Sequence, residues 1–374
     1  MVEWKKLGDL GPYFGGLTGK TKDDFVDGNA KFITYMNVFA NPSLNIETTG
    51  VVRINEGENQ NKIQKGDILF TGSSETPDEA GMSCVVTDEL LEDFYMNSFC
   101  FGIRLNTPEQ YNLHYLKHVL RSYDIRKKIS KSASGVTRFN ISKARFGKIE
   151  IPIPSISEQQ RIVSILDMFT ASIDNLKEQI AQRRKQYEYF RDQLLDLEGK
   201  EGVEMKTLGD SCLIRTGSKP AEILDKGRYC YINAGTTESG YVDESNCDCD
   251  VVTTPSRGQG GIGFVGYQRN AFWLGPLCYQ IRPNKKENFK SKYLFYYLSS
   301  HSEEILKYKS EGGTPAVNAV DLKKIQIPLP SLQEQQRIVD ILDKFEASIQ
   351  NLEAQLSQRE KQYDYYRNKL LTFE

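Results

Sequence analysis

The sequence predicts an α+β protein in which two mixed α/β domains are separated by a long antiparallel coiled coil of two helices. Two segments, 149–198 and 325–374, are identical at 31 of 50 positions at a constant offset of 176, which is the signature of an internal repeat. The segments before them, 1–148 and 199–324, contain strand-like runs bounded by Gly turns. We therefore predict four regions with these boundaries and a circular, pseudo-two-fold repeat.

Each repeated segment contains a start signal for a long helix. Ser155 and Glu158, like Ser331 and Glu334, form a capping-box pattern in which the Ser oxygen accepts from a backbone amide and the Glu reaches back. No Gly or Pro interrupts the following stretch of about 40 residues. Each helix is therefore predicted to be roughly 60 Å long, at 1.5 Å per residue.

The apolar residues of both segments follow a heptad pattern over about five heptads, which indicates a coiled-coil seam. Arg183 and Arg359 interrupt the seam at equivalent positions, and we expect them to snorkel or to pair with a Glu, at a cost in stability that fixes the register. The alternative is that each helix packs on a globular domain. The predicted seam residues are Ile162, Leu166, Phe169, Ile173, Leu176, Ile180, Tyr187, Phe190, Leu194, Ile338, Leu342, Phe345, Ile349, Leu352, Leu356, Tyr363, Tyr366 and Leu370.

The direction of the helices follows from the connectivity of the chain. Segment 199–324 leaves the end of the first helix and enters the start of the second. Because the termini of a domain often lie close together, the two helices are expected to run antiparallel.

The two domains repeat only weakly. Residues 204–210 match residues 3–9 at an offset of 201, and we align residues 312–318 with 134–140. The domains therefore keep their framing and differ elsewhere, as they would if each read a different target.

Several identities between the two helices lie off the predicted seam, which suggests that the outer helix faces meet the same partner twice. The candidate partner-binding residues are Gln159, Gln160, Arg161, Gln335, Gln336 and Arg337.

The net charge of −2 argues against coating DNA by bulk charge, because phosphate neutralisation needs clustered Lys and Arg. Segment 121–148 is such a cluster, with nine basic residues and one acid, although a solvated helix face would show the same pattern. The seven cysteines match no metal or redox spacing and are expected to be free thiols. No apolar run is long enough for a membrane span, and no signal peptide is visible, so we expect a cytoplasmic protein.

The motifs of common enzymes are missing. His114 and His118 are four residues apart but lack the Glu of a zinc-protease helix, and residues 15–21 are one residue short of a phosphate-binding loop. The Gly-rich stretch 258–263 is better explained as a turn than as a nucleotide site. We therefore predict that the chain is not an enzyme and binds no metal.

The chain resembles the specificity (S) subunits of type I restriction–modification systems. The resemblance rests on residues 151–163 and their copy at 327–339, on Gly313–Asn318 before the second helix, and on Lys65–Thr71. It implies two target recognition domains that read a bipartite, asymmetric site in double-stranded DNA, with the helices as the spacer. It also implies two methyltransferase (M) subunits and restriction (R) subunits as partners, with S-adenosylmethionine, ATP and Mg expected only in those partners.

Bases would be read by loop side chains of the domains, and phosphates held by Lys and Arg. The candidate DNA-binding residues are Lys20, Lys22, Ser73, Ser74, Arg138, Lys143, Lys219, Arg257, Gln259 and Thr314. The two alternatives are a coiled-coil interaction scaffold without a DNA role and an enzyme with an unrecognised site.

Overall fold

The structure, a computed structural model, describes residues 2–258, 260–285, 288–310 and 313–373. The chain forms two compact units: unit 1 comprises Met1–Lys177 and Gln355–Glu374, and unit 2 comprises Glu178–Ala354. Each unit contains one mixed α/β region and part of both long helices, so the compact units do not coincide with the four predicted regions.

Short strands and four short helices precede the first long helix. The strands are β1 (Glu3–Lys6), β2 (Tyr13–Gly15), β3 (Ala30–Ile33), β4 (Thr49–Val52), β5 (Asp67–Thr71), β6 (Ser73–Ser74), β7 (Ser83–Val85), β8 (Phe94–Met96), β9 (Cys100–Arg104), β10 (Ala133–Ser134), β11 (Phe139–Ile141) and β12 (Glu150–Ile153). The helices are α1 (Tyr35–Ala40), α2 (Leu113–Val119), α3 (Tyr123–Ser132) and α4 (Lys143–Phe146).

The first long helix is α5 (Ile156–Leu195), and the second is α10 (Leu332–Leu371). The strands between them are β13 (Glu204–Thr207), β14 (Cys212–Thr216), β15 (Tyr229–Ile232), β16 (Tyr241–Val242), β17 (Val251–Pro255), β18 (Gly266–Gln268), β19 (Trp273–Leu274), β20 (Cys278–Pro283) and β21 (Gln326–Leu329). The intervening helices are α6 (Leu208–Ser211), α7 (Ser291–Ser300), α8 (Ser302–Leu306) and α9 (Ala319–Leu322).

The two units have matching sheets. Unit 1 contains the antiparallel sheet β2-β9-β5-β7 and the sheet β4-β3-β8, in which β3 and β8 are parallel. Unit 2 contains β14-β20-β17-β18 and β16-β15-β19, in which β15 and β19 are parallel. The strand entering each long helix also pairs with the first strand of its unit, as β1 with β12 and β13 with β21.

The start of each long helix forms only half of the predicted capping box. The Ser155 Oγ accepts from the Glu158 amide at 3.4 Å, and the Ser331 Oγ accepts from the Glu334 amide at 3.3 Å. The Glu158 carboxylate instead accepts two hydrogen bonds from the guanidinium of Arg161, three residues further on. The Ser side chain therefore caps the helix, while the Glu stabilises its first turn as an ion pair.

Within unit 1, the first half of α5 packs antiparallel against the end of α10. Leu166 shares a hydrophobic core with Leu370 and Leu371, and one turn later the Phe169 ring stacks on Tyr366, with centroids 5.3 Å apart.

Within unit 2, the second half of α5 packs antiparallel against the first half of α10. Phe190 stacks on Phe345 at 5.6 Å, which repeats the pair of unit 1 at an offset of 176. Six residues earlier on α5, Arg184 pairs with Glu353, further along α10, at 2.6 Å.

The two seam arginines lie over aromatic rings. The guanidinium carbon of Arg183 is 5.8 Å from the centroid of Phe345, and that of Arg359 is 5.7 Å from the centroid of Phe169. This cation–π contact takes the place of the expected pairing with a Glu.

Burial follows the heptad pattern, with the aromatic seam positions as the most open. Phe190 and Tyr366 are 42% and 40% exposed. The buried seam residues are Ile162, Leu166, Ile173, Leu176, Ile180, Ile338 and Leu342. The partly buried ones are Phe169, Tyr187, Leu194, Phe345, Ile349, Leu352, Leu356, Tyr363 and Leu370.

The predicted fold class is confirmed: the chain is α+β, with a doubled mixed domain and two long helices that pair antiparallel in each unit. All seven cysteines are free thiols. Among the described residues, no helix has the length and apolar character needed to cross a bilayer.

Candidate nucleic-acid interface

A buried glutamine joins each mixed domain to its long helix. The Gln159 side-chain oxygen accepts from the Asn112 amide at 2.9 Å, while its nitrogen donates to the Pro154 carbonyl at 2.9 Å. Gln335 makes the same two bonds, to the Lys290 amide and the Pro330 carbonyl, and its nitrogen also donates to the Asn288 carbonyl at 3.2 Å. Both glutamines are essentially inaccessible to solvent, so both ends of each amide are satisfied inside the fold.

A tyrosine completes the same junction. The Tyr115 hydroxyl donates to the Pro152 carbonyl at 2.8 Å, and the Tyr293 hydroxyl donates to the Pro328 carbonyl at 2.8 Å. The sequence prediction missed this pair, although a Tyr-Leu dipeptide occurs at matching positions, 115 and 293, before each long helix.

In unit 1, an aspartate of α5 also binds the domain helix α2. Asp167 accepts from the Nε2 of His118 at 2.8 Å and from Lys117 at 2.9 Å. Burial opposes ionisation of Asp167, but the two hydrogen bonds outweigh it and lower its pKa to about 2. Burial lowers the pKa of His118 in turn, so the neutral ring donates to Asp167 and accepts at Nδ1 from Tyr363, 3.0 Å away.

Unit 2 fills the same place with different side chains. Asp343 accepts from the Tyr296 hydroxyl at 2.5 Å and from Lys292 at 2.6 Å. Tyr296 therefore stands where unit 1 has His118, and the geometry of the junction is kept while the donor changes.

A small strand patch lies at the end of the domain in unit 1. The strands β10, β11 and β6 pair antiparallel in that order, with Asn140 opposite both Ser134 and Ser73. The turn between β10 and β11 needs Gly135, because its φ of 153° is unfavourable for other residues and a Cβ would lie 1.9 Å from the Arg138 carbonyl oxygen. This turn exposes the side chains of residues 136–138.

Unit 2 builds the equivalent patch from two isolated bridges, in which Ala316 faces both Arg257 and Ser310. The Val317 amide donates to the Ser256 carbonyl at 2.9 Å, as the Ile141 amide does to Gly72 in unit 1. Asn140 therefore corresponds to Ala316 at the helix offset of 176, so the alignment of 134–140 with 312–318 was wrong by two residues.

Comparisons with known proteins show the same duplication. A family model described as the type I restriction modification DNA specificity domain matches residues 1–183 and again residues 200–360. The chain belongs to this DNA specificity family. Membership disfavours the interpretation as a coiled-coil scaffold without a DNA role.

Relatives of the DNA specificity family include a type I restriction enzyme specificity subunit of Escherichia coli. It is 32% identical over 262 residues, which span 60% of this chain and 63% of that protein, less than two thirds of its length. A putative specificity subunit of Haemophilus influenzae is 30% identical over 293 residues, or 72% of this chain and 74% of that protein. The crystal structure of a specificity subunit from M. genitalium is similar in fold, with a TM-score of 0.64 at 18% identity over all of this chain and 97% of that one.

The candidate residues of unit 1 in this family member occupy different environments. Lys20 is paired with Glu58 at 2.5 Å and its side chain is 5% exposed. Ser73 and Ser74 are buried in β6. Contact between DNA and any of these three side chains would first require local opening, whereas Lys22 is exposed at the start of a short 3-10 helix.

Arg138 in the strand patch and Lys143 just after it are both exposed. The Arg138 guanidinium lies 5.3 Å from the ring of Phe99, which is itself 55% exposed. The Lys143 ammonium lies 5.5 Å from the Phe101 ring. Phe99 was not singled out from the sequence, because nothing local marks it as the platform for an arginine 39 residues away.

The candidates of unit 2 that the structure describes are all exposed: Lys219, Arg257 and Thr314. Arg257 lies in the strand patch, opposite Ala316. Gln259 lies outside the described residues. These DNA contacts remain predictions.

The sequence suggested that the basic residues of segment 121–148 form one surface, but the structure places two of them inside the fold. Arg121 donates to the backbone carbonyls of Ser83 and Val38, among others, and Arg126 donates to those of Gly81 and Ala80. Burial lowers the pKa of both guanidinium groups to about 10. Both are therefore structural, and the remaining basic residues form the surface.

The partner-binding candidates divide in the same way. Gln159 and Gln335 are accounted for by the buried junction and present no surface to a partner. Arg161 and Arg337 remain exposed beside Glu158 and Glu334. Gln160 is also exposed and accepts from the Asn112 side chain, while Gln336 is half-buried and donates to Asp340.

Proposed function

We propose that this chain reads a bipartite, asymmetric site in double-stranded DNA, one half with each mixed domain, as the specificity subunit of a type I restriction–modification system. The observation that supports this best is the strand patch. Its backbone pairing is the same in both units, but Arg257 replaces Ser73 and Ala316 replaces Asn140. A repeated frame with exchanged side chains is what two readers of different sequences need, because base edges are distinguished by side-chain donors and acceptors.

Arg138 in unit 1 and Arg257 in unit 2 are the strongest candidates for base contacts. Both are exposed at the strand patch, and a guanidinium binds the O6 and N7 atoms of guanine with two hydrogen bonds. Lys22, Lys143 and Lys219, which are also exposed, would hold phosphates as point charges.

The chain is proposed to act without catalysis of its own, in the cytoplasm, and to recruit two M subunits and the R subunits. The doubled helix surface, which includes Arg161 and its copy Arg337, offers the same docking site once per unit. S-adenosylmethionine, ATP and Mg would then belong to the partner subunits.

The test is the methylation pattern of cells that express the full chain with its M and R partners. We expect Arg257→Ala to relax one half of the methylated site by about 10- to 100-fold per contacted base pair, and to leave the other half unchanged. Arg269→Ala, an exposed arginine after β18 in the same unit, is the matched control and should leave both halves unchanged. Relaxation of both halves, or methylation by the chain without an M subunit, would contradict the proposal.

A further inference from the structure

The helix α3 of unit 1 has an inner and an outer row of cations. Arg126 points inward and donates to backbone carbonyls. Lys127, Lys128 and Lys131 are exposed, and we call these three residues the lysine face. They are not needed for the fold in the way that Arg126 is.

Two members of the lysine face lie against exposed aromatic rings, and Asp124 and Asp78 line the adjoining surface depressions. The Lys127 ammonium lies 5.8 Å from the ring of Tyr123, and that of Lys128 lies 5.2 Å from the ring of Trp4. These rings are 62% and 42% exposed. Within the described part of the chain the three lysines form no ion pair, so their charge is available to an anion outside the protein.

Unit 2 has the opposite charge at two of the three matching positions. Ile129 of α3 and Ile305 of α8 are both buried and lie 176 residues apart, the offset of the strand patch that follows them. At this offset Lys127 corresponds to Glu303 and Lys128 to Glu304. The third match is Lys307, whose charge is neutralised by an ion pair with Glu304.

This asymmetry excludes one explanation. A partner that binds both units through equivalent surfaces would meet cations on one and anions on the other, and like charges in such contacts weaken binding. A partner that uses the same surface of both units therefore does not explain the lysine face, whereas an anion that meets unit 1 alone at this position would.

We infer that the lysine face holds phosphates of the duplex next to the half-site that unit 1 reads, so that this half-site carries more of the electrostatic binding than the other. The inference rests on the proposed function. Its support is continuity, since α3 ends at Ser132 and the next residues form β10 of the strand patch. Lysines make phosphate contacts without sequence preference, which fits an anchor beside a reading surface.

The experiment measures how the dissociation constant for a 40-base-pair duplex of random sequence depends on salt, using the full chain in complex with its M subunits. Each phosphate contact contributes about 0.9 to the slope of log K against log salt. For Lys127→Gln/Lys128→Gln/Lys131→Gln we expect the magnitude of this slope to decrease by about 2.7. The loss of affinity between 50 and 200 mM salt should then be roughly 40-fold smaller in the variant than in the wild type. Substitution of the same residues by Arg should keep the slope.

The matched control is Glu303→Gln/Glu304→Gln in unit 2, which should not lower the slope. An unchanged slope in the lysine variant, with normal binding by the wild type, would overturn the inference and leave the proposed function intact. So would a lysine variant that keeps its slope but no longer binds R subunits, because the face would then be a protein surface. No salt-dependent duplex binding by the wild-type complex would contradict the proposed function itself.

Discussion

The junctions between domain and helix are nearly the same in the two units, whereas the strand patches differ at two of their three facing positions. Gln159 and Gln335 share two hydrogen bonds of 2.9 Å, to a domain amide and to the proline carbonyl before the helix. In the strand patches, by contrast, Ser73 faces Asn140 in unit 1 and Arg257 faces Ala316 in unit 2. The junctions therefore stabilise the fold and fix its geometry in both units, and the strand patches account for the difference between the units.

The position of His118 and Tyr296 lies between these extremes. Both donate to an aspartate of a long helix, yet only one of them can change its charge near neutral pH. The junction thus tolerates a change of donor as long as the acceptor and the distance are kept.

The largest effect is expected from lengthening the repeated part. One heptad is inserted after Lys177 and one after Ala354, at the boundary between the units in each helix. Each insertion adds about 10 Å of helix, which is the length of about three base pairs of DNA. We expect the original site to lose methylation and a site with the same half-sites and a longer gap to replace it. Methylome sequencing measures both at once.

A length-neutral exchange of one heptad in each helix, with its seam residues retained, is the control and should leave the gap unchanged. New bases in the half-sites after the insertion would show that the helices do not act as the spacer. That outcome would contradict the assignment of spacing to the helices and of base reading to the mixed domains.

The next largest effect concerns the buried glutamines. Gln159→Ala removes two hydrogen bonds and Gln335→Ala removes three. Each leaves a backbone amide and at least one backbone carbonyl without their partner, so each should lower the free energy of unfolding of its unit by about 2 to 4 kcal/mol. Gln160→Ala, at an exposed neighbouring position, should cost less than about 0.5 kcal/mol. Denaturant unfolding followed by hydrogen exchange of each unit checks this. If only one of the two variants lost much stability in its own unit, the two junctions would not be equivalent.

The long helices were predictable because their signals are local. The heptad spacing and the serine caps lie within a few residues of each other, and α5 and α10 begin directly after Ser155 and Ser331. The Glu of the capping box was predicted to bond the backbone, but a nearby arginine competes for it, as at Arg161.

The errors arose where a side chain is satisfied by a residue distant in the sequence. Arg121 was counted in a surface patch, although backbone carbonyls 38 to 83 residues away accept from it. Gln159 was assigned to a partner surface because it lies off the seam, whereas its amide serves residue 112. Polarity and repetition cannot distinguish a partner outside the chain from one inside it.

The pH dependence of the two junctions should differ. Burial keeps the pKa of His118 below its usual value, so the folded state favours the neutral ring, and the stability of this junction should fall as the pH drops below about 6.5. Asp167, with its pKa lowered to about 2, stays ionised there and adds a loss only below about pH 4. Hydrogen exchange of the α2 amides at pH 8 and pH 5.5, corrected for intrinsic rates, should show faster opening at the lower pH.

Tyr296 provides the matched control, because it makes the equivalent bond without titrating in this range. His118→Tyr should abolish the acid-induced opening of α2, and the α7 amides of the wild type should show none. Equal opening of α2 in wild type and variant would mean that the acid sensitivity has a source other than His118.

The smallest effect is expected at the seam arginines, where the two units are most alike. Each guanidinium lies under 6 Å from a Phe ring, a contact that stabilises the fold by about 0.5 to 1 kcal/mol. Burial of a leucine side chain at the same position would stabilise it by about 1.5 kcal/mol or more. Arg183→Leu and Arg359→Leu should therefore each raise the free energy of unfolding by roughly 1 kcal/mol in denaturant titrations. A loss of stability in both variants would mean that the cation–π pair outweighs apolar burial, and a gain in one with a loss in the other would show that the two halves of the seam are packed differently despite their shared sequence.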